Sequence, residues 1–544
     1  MLTPWNVVNM HLHTAFGGYS FFDPQDYKSP IMKDVAVKDE NGNVILDNNG
    51  NAKTESVKVL VTEKPTEREN ITNKVFGFYD SGTDAIQTKI LEINSKTGLY
   101  PLYVAYNLYR LQMDAYVREK AYDDVENLSI DEEHATWDDV IKKNIFVITN
   151  TKMAAQITYR TLMGFRNEGE IEHHIKTTKL VERASIDSER EKLIKELNSG
   201  KFWGVTDKQM KIKAIVGNPP YQISDKGNAA SDAAAPIYQH FVEIAKSLSP
   251  DFISIIMPSK WMVGGRTELD PFREKMKEDS CIQLMIDYED DRRIFPTAHN
   301  DGGICFFLWN KNKKEEKLEY RFYPITGEVI VGTTLKNKFT KYVIRNSRLL
   351  NILEKIGAST NNMSSIVSKT QPFGIRKDVF NNPEKYAHAK LSDIHFNESV
   401  KIYGVKGFKG GAKRTYGYIT KDIIKDKHNA IDKYKLFFTT SYSSNATVPP
   451  EPIKGFPNEI CTETFLLIGP FKNKEEMENC YKYLHTNFFR FLLYYGHGTM
   501  QVNKEVFTYI PLVDFSKEWD NEKLYNEFNI TDKKDIEYIE SILK

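Results

Sequence analysis

The stretch from Ile212 to Gln222 constrains this chain more than any other. Ala214, Ile215 and Val216 make an apolar run too short for a helix, and the run stops at Gly217. Such a run reads as a buried strand of the parallel type. Asn218, Pro219, Pro220 and Tyr221 come next. Neither proline can donate to a sheet ladder, so the strand ends there. Each proline also pushes its predecessor into extended backbone, which holds Asn218 and Pro219 in one stiff shape. In open α/β sheets the carboxyl ends of strands are where ligands sit. An amide, a rigid carbonyl and an aromatic ring at one strand tip suit an exocyclic aromatic amine. The Asn218 side-chain oxygen and the Pro219 carbonyl can each accept one N–H and so aim the nitrogen lone pair, while Tyr221 stacks on the ring. The plain alternative is a strand followed by a proline-rich turn.

Upstream, Ile90, Leu91 and Ile93 predict a strand, and Asn94 to Gly98 a polar turn. A helix begins at Leu99, with Pro101 in its first turn and Leu102, Ala105, Tyr106 and Tyr109 on one face. A strand, a glycine turn and a helix form the usual nucleotide-binding unit. Further strands are expected at Asn144–Thr149, Ile175–Val181, Phe252–Pro258, Cys281–Tyr288 and Gly303–Trp309, with helices between them. The alternation predicts an α/β doubly wound sheet. Met113–Lys143 reads as a solvated acidic insert, and Ser224–Pro236 as a small-residue loop that either closes over the site or merely links.

These motifs carry a resemblance. Asn218-Pro219-Pro220-Tyr221 is the Asn-Pro-Pro-Tyr signature of amino-methyltransferases. The run ILEINSKTG from Ile90 to Gly98 is similar to the I-L-D-P-x-C-G-S-G motif of bacterial N6-adenine-specific DNA methyltransferases of restriction–modification systems. The resemblance implies a Rossmann-like methyltransferase sheet over residues 76–335, a mixed α+β target-recognition (DNA-binding) domain over 336–544, and an N-terminal accessory region over 1–75. It implies S-adenosylmethionine as cofactor, held by Glu92 in the acidic position, by Asn94, Thr97 and Gly98 of the turn, and by Asn150 at the second strand tip. It also implies that Asn218, Pro219 and Pro220 hold a flipped adenine, with Tyr221 and Phe295 as its walls. Double-stranded DNA is the implied substrate, with a restriction endonuclease or helicase subunit as a further partner. The chain departs from the pattern at Ile93, Lys96 and Asn150, where proline, glycine and an acid are usual. Those departures keep open a DNA-recognition subunit with a weakened cofactor site. Methylation of RNA or of protein glutamine is a third alternative, since those enzymes share the signature.

Composition narrows the partners. Lys+Arg and Asp+Glu are both 74, so the 544 residues carry no net charge. The balance is uneven: Val331–Thr440 holds 21 basic and 8 acidic residues, a net of +13. Within it, Lys401–Lys421 has six basic residues, no acid, and aromatic residues among five glycines. Lys406, Lys409, Lys413 and Arg414 are therefore the candidate phosphate contacts. Four cysteines without CxxC spacing predict no zinc or disulfide framework and a reducing cytoplasm. The opening MLTPWNVVNMHLHT lacks a signal-peptide pattern, and no apolar run reaches membrane-spanning length. His11 and His13 would share one side of a strand, where packing is expected rather than metal binding. Asn41-Gly42 and Asn49-Gly50 read as hairpin turns, and Lys58–Thr62 as a strand. No nuclease motif or Walker loop is evident, so cleavage or translocation would need a partner or a longer parent chain.

Overall fold

The computed structural model describes residues 2–29, 31–37, 39, 43–59, 88–119, 129–166, 169–223, 235–263, 267–296, 302–313, 317–325, 328–339, 341–357, 361–386, 390–407, 413–442, 446, 448–496, 502–508 and 510–541. They fall into two compact units, one of 1–261 with 268–334, the other of 262–267 with 335–544.

The first unit is built on a nine-stranded sheet. Before it come an antiparallel pair, β1 (Ile31–Ala36) and β2 (Thr54–Val59), with a bridge at Leu46 and Ala52 around the Asn49-Gly50 turn. Asn41-Gly42 and the end of the expected Lys58–Thr62 strand lie outside the described residues. The sheet comprises β3 (Lys89–Ser95), β4 (Ile145–Thr149), β5 (His174–Thr177) and β6 (Ile212–Gly217). After a two-residue pair, β7 (Gln222–Ile223) and β8 (Ala235–Pro236), it continues with β9 (Phe252–Pro258), β10 (Ile282–Tyr288), β11 (Ile304–Asn310), β12 (Glu319–Tyr323) and β13 (Ile330–Gly332). The order is β13-β12-β10-β11-β9-β6-β3-β4-β5. The central strands β4 and β9 are buried at every residue, as expected for near-continuous apolar runs covered on both faces. From β3 the chain steps outward to β4 and β5, then returns to lay β6 on the other side of β3. The carboxyl ends of β3 and β6 thus flank a topological switch point, where doubly wound sheets open a crevice.

Gly217 ends β6 at that point with φ +153°, and a Cβ there would lie 2.7 Å from the Ile93 carbonyl oxygen. Only glycine lets the two strand tips come this close.

The opening segment is a helix, α1 (Trp5–Phe16), so the shared side that His11 and His13 would have had in a strand does not arise. It buries Val7, Val8, Leu12, Ala15 and Phe16 in the same core as the sheet, so the start of the 1–75 region is part of this unit's interior. His11 is wholly enclosed. Its Nδ1 lies 2.8 Å from the Tyr100 hydroxyl and its Nε2 2.8 Å from Ser254 Oγ, which donates to the Phe307 carbonyl. Since the Ser254 proton is spent on Phe307, Nε2 must carry hydrogen and Nδ1 must accept from Tyr100. That is the neutral imidazole, and burial pushes its pKa down to about 3.

The other helices of this unit include α2 (Leu99–Glu119), α3 (Ile130–Asn144), α4 (Lys152–Met163), α5 (Tyr238–Ser247) and α6 (Asp270–Glu278), with further ones at 180–185, 187–197 and 200–203. α2 starts where its proline predicts, but its most buried side is Tyr100, Tyr103, Val104, Leu108 and Leu111. Of the expected face only Ala105 is fully buried. The difference has a cause: α1 and α3 pack on α2 as well as the sheet, so more than one stripe is covered. The acidic insert is likewise not wholly solvated. Ser129 and Glu132 form a capping box for α3, which buries Val140 and Ile141. β5 ends at Thr177, short of Val181.

The second unit is mixed α+β. β14 (Leu391–Ser392), β15 (Ser399–Lys406), β16 (Lys413–Thr420) and β19 (Glu459–Cys461) make one sheet. β17 (Tyr434–Thr439), β18 (Ile453–Gly455) and β20 (Phe465–Phe471) make another. Helices at Ser347–Ile356, Asp378–Asn381, Lys474–Leu484, Asn487–Gly496, Asn521–Glu527 and Lys533–Ser541 pack with them. Lys435 is fully buried, and its ammonium donates to the carbonyls of Ala430, Ile431, Lys433 and Phe456 at 2.8–3.0 Å.

The close approach at the switch point yields a direct test. Gly217→Ala is expected to lower the stability of the first unit by about 1–3 kcal/mol, as overpacked interiors do, read as a fall in its urea midpoint. An unchanged midpoint would show that β3 and β6 can part without loss.

Candidate active site

Asn218, the first residue past β6, is only 4% exposed. Its backbone carbonyl accepts from Asn94 Nδ2 at 3.3 Å, across the switch point. Asn94 sits at φ +71°, a left-handed conformation that asparagine tolerates. At the side-chain end, Asn218 Nδ2 donates to Thr3 Oγ1 at 2.8 Å. The other amide atom, Oδ1, is buried with no hydrogen-bond partner. Pro219 is buried and Pro220 half-buried. Tyr221 packs against the sheet core, its carbonyl takes the Ile237 N–H at 3.1 Å, and its hydroxyl is a second buried atom without a partner. Burial pushes the Tyr221 phenol well above its ordinary range, and the neighbouring Asn218 carboxamide works against that.

A third orphan faces the same edge. Glu92 in β3 is buried and its Oε2 has no partner. Burial raises its pKa to about 8, opposed by Ser95 and by the Lys96 ammonium. Lys96 itself is pushed down by burial and held up by Glu92. An unpartnered buried polar atom is unfavourable by roughly 1–3 kcal/mol, so three near the carboxyl ends of β3 and β6 call for an explanation. The orphan carboxyl fits a cationic group, and the orphan amide oxygen fits an N–H donor.

The turn after β3 is braced from α4. Gly98 has φ +75°, and a Cβ there would meet Thr158 Cα at 2.9 Å. Its N–H donates to Ser95 Oγ, and the Thr97 carbonyl accepts from Thr161 Oγ1 at 2.6 Å. Asn150, at the tip of β4, accepts the Val181 N–H on Oδ1 at 3.1 Å. It lines a cleft of about 430 Å³ with Val181, Glu182, Ile186 and Ile223. The stretch after β5 therefore adds lining residues that no sequence motif singled out. Glu182 in KLVERAS was the one visible acid there, and it pairs with Lys179 at 3.3 Å.

Phe295 is 2% exposed and belongs to the sheet core against which Tyr221 also packs. Its N–H bonds to the carbonyl of Asp291, whose charge acts on the Tyr221 phenol.

In the second unit, β15 and β16 pair antiparallel, with Lys406 opposite Lys413 and Tyr403 opposite Tyr416. Lys406 and Lys413 are exposed, and Lys409 lies outside the described residues. The Lys401 ammonium sits 4.7 Å from the ring centres of both Tyr403 and Tyr416. Arg414 is already engaged, donating to the Glu451 carbonyl at 2.6 Å and lying over Phe465. Among the described residues no group of three or more His, Cys, Asp or Glu could hold a metal, and no helix is long and apolar enough to cross a membrane.

Residues 143–295 match the model of the Eco57I restriction-modification methylase family, a span holding β4, β6 and Asn218–Tyr221 but not Glu92–Gly98. Over 186 residues, 34% of this chain, the sequence is 26% identical to an uncharacterized adenine-specific methylase of Mycoplasma pneumoniae. The match spans 40% of that relative's length. Among solved structures, the Type IIL restriction-modification enzyme MmeI in complex with DNA aligns at a TM-score of 0.41 and 11% identity, over 77% of this chain and 60% of that one. The M protein of the type I restriction enzyme EcoKI aligns at 0.27 and 10%, over 44% and 46%.

The buried carboxyl makes stability depend on pH in a defined direction. Glu92 binds its proton more tightly folded than unfolded, so the stability it leaves intact below its ordinary pKa of 4.5 is lost as pH rises to about 8. Glu92→Gln is expected to match the parent's melting temperature near the acid end of that window and to exceed it by several degrees at the alkaline end. A parent–variant gap independent of pH would refute the assignment.

Proposed function

We propose that this chain, whose residues 143–295 match the Eco57I restriction-modification methylase family, transfers a methyl group from S-adenosylmethionine to the N6 amine of adenine in double-stranded DNA. The observation that carries this reading is the Asn218 side-chain oxygen, buried and without a donor at a switch-point strand tip. The target adenine has to leave the duplex to reach it. Asn218 Oδ1 and the Pro219 carbonyl then each accept one N–H of the amine, which concentrates the lone pair on nitrogen. The Tyr221 ring holds the base by stacking. The two prolines keep both acceptors fixed, so the contribution is mainly positioning and exclusion of water.

The residues present suit the cofactor. Glu92 would hold its cationic end, and Asn150 with the cleft beside Val181 and Ile223 would take its nucleoside hydroxyls and base. When bound, S-adenosylmethionine supplies the methyl group as an electrophile. A cation arriving beside Glu92 favours the carboxylate, so binding is coupled to proton release from a carboxyl whose pKa stands at about 8.

The basic second unit supports a long nucleic acid as the substrate over protein, because a run of +13 matches a polyanion, and comparing labelled methyl transfer to duplex DNA and to RNA separates those two. Lys406 and Lys413 are free to meet phosphates, whereas Arg414 serves first to brace its own strand. A second reading, a DNA-recognition subunit with a weakened cofactor site, is favoured by Lys96, which places a cation of the chain's own beside Glu92. Titration calorimetry with S-adenosylmethionine separates the two: an active enzyme binds it at micromolar strength and a recognition subunit does not.

Two outcomes test the main reading. DNA from cells expressing the chain should carry N6-methyladenine at a fixed sequence, and Asn218→Ala should reduce methylation by about 10²-fold or more, as for other positioning hydrogen bonds. Normal methylation by that variant would remove Asn218 from the chemistry. Replacing Lys406 and Lys413 together by alanine should weaken binding to all duplexes alike and reduce the slope of log affinity against log salt by about 1.8, the value for two lost phosphate contacts. An unaltered slope would place the DNA elsewhere.

A further inference from the structure

We propose that Thr3 is a positioning residue for the Asn218 carboxamide, holding its nitrogen end so that the amide stays in place when its oxygen end meets the target amine. The inference rests on the methyltransferase reading above and assigns the work to a residue outside the matched span of 143–295.

The argument starts from the amide's two ends. Only its oxygen can receive an amine N–H; its nitrogen would set donor against donor. In the fold the nitrogen end is taken by Thr3 Oγ1 at 2.8 Å and the oxygen end is buried without a hydrogen-bond partner. Both groups are buried, Thr3 at 7% and Asn218 at 4% exposure, so no water readily replaces the hydroxyl. A hydroxyl can donate as well as accept, so Thr3 alone does not choose an orientation. Once an amine lies on the oxygen side, however, one arrangement satisfies every group: Oδ1 toward the amine and Nδ2 toward Thr3.

Thr3 is itself held stiffly. It precedes Pro4, and residues before proline are confined to extended backbone. Pro4 caps α1, its carbonyl accepting from Val7 and Val8 at 3.1 Å. α1 is fixed in turn by its buried apolar side and by the two bonds of His11 to Tyr100 and Ser254. Asn218 likewise precedes a proline. The hydrogen bond thus joins two residues, 215 positions apart, whose backbones are each restricted by the next residue. Such a bond can hold one side-chain torsion without help from flexible neighbours.

The test uses the full chain, tritiated S-adenosylmethionine and unmethylated genomic duplex DNA under single-turnover conditions. Thr3→Val keeps the shape and removes the hydroxyl. It should slow methyl transfer by about 10- to 100-fold, the range for one unpaired buried donor, with cofactor affinity changed less than about 2-fold. Thr3→Ser restores the hydroxyl and should return the rate to within about 3-fold of the parent. In an Asn218→Ala background, Thr3→Val should produce no further loss, since it acts through the missing amide. Thr3→Ala repeats the comparison should the valine variant melt early. A parent-like rate in Thr3→Val overturns the proposal. So does equal loss in Thr3→Ser, a loss confined to cofactor affinity, or a multiplied loss in the Asn218→Ala background. A parent chain that transfers no methyl group to DNA overturns the function reading, and this assignment with it.

Discussion

The Asn218 side chain is taken out of water with one end of its amide satisfied and the other not. Everything near it serves to hold that imbalance. Pro219 and Pro220 keep the backbone from relaxing into a helix or ladder. Gly217 lets β6 close against Ile93, and Asn94 ties the Asn218 carbonyl to the neighbouring strand. Without such bracing the amide would rotate or recede until its oxygen found a donor. The protein accepts an unfavourable buried acceptor because the surrounding strands over-determine its place.

Glu92 repeats the pattern with charge. A buried carboxyl lacking a full set of donors is unfavourable as an anion, so it keeps its proton. Lys96 offsets part of this in the chain itself. The two groups make the edge of the sheet poor in stability and rich in unmet interactions, which is the usual relation between a binding site and its scaffold.

Local physics explains which features were legible beforehand. β3, β4, β6, β9, β10 and β11 were readable because each is a short apolar run closed by glycine, proline or polar residues. The strand tip at Asn218 was readable for the same reason: two prolines leave one conformation. α1 was not, because WNVVNMHLHTAF has apolar residues on most of its circumference and its His11 partners are side chains from α2 and β9. The buried side of α2 was misplaced because two helices and a sheet cover it. Phe295 was matched by motif, yet its enclosure depends on distant strands. The lining of the Asn150 cleft comes from a stretch after β5 with no periodic signal, and Arg414's bond to Glu451 spans a chain reversal that charge counting does not see. Short-range rules place elements; they do not say which long-range neighbour will occupy a donor.

The helix at the front of the chain has a consequence for how the molecule is made. His11 waits for Ser254, 243 residues later, and Thr3 for Asn218. At about 5–20 residues per second, translation leaves tens of seconds during which α1 has emerged but its partners have not been synthesised. Through that interval its apolar side has only α2 to lean on. Contacts this far apart in sequence form late and slowly, so the nascent chain passes through a stage with much of its local structure in place while the Asn218 carboxamide still lacks its partner and its flanking strands.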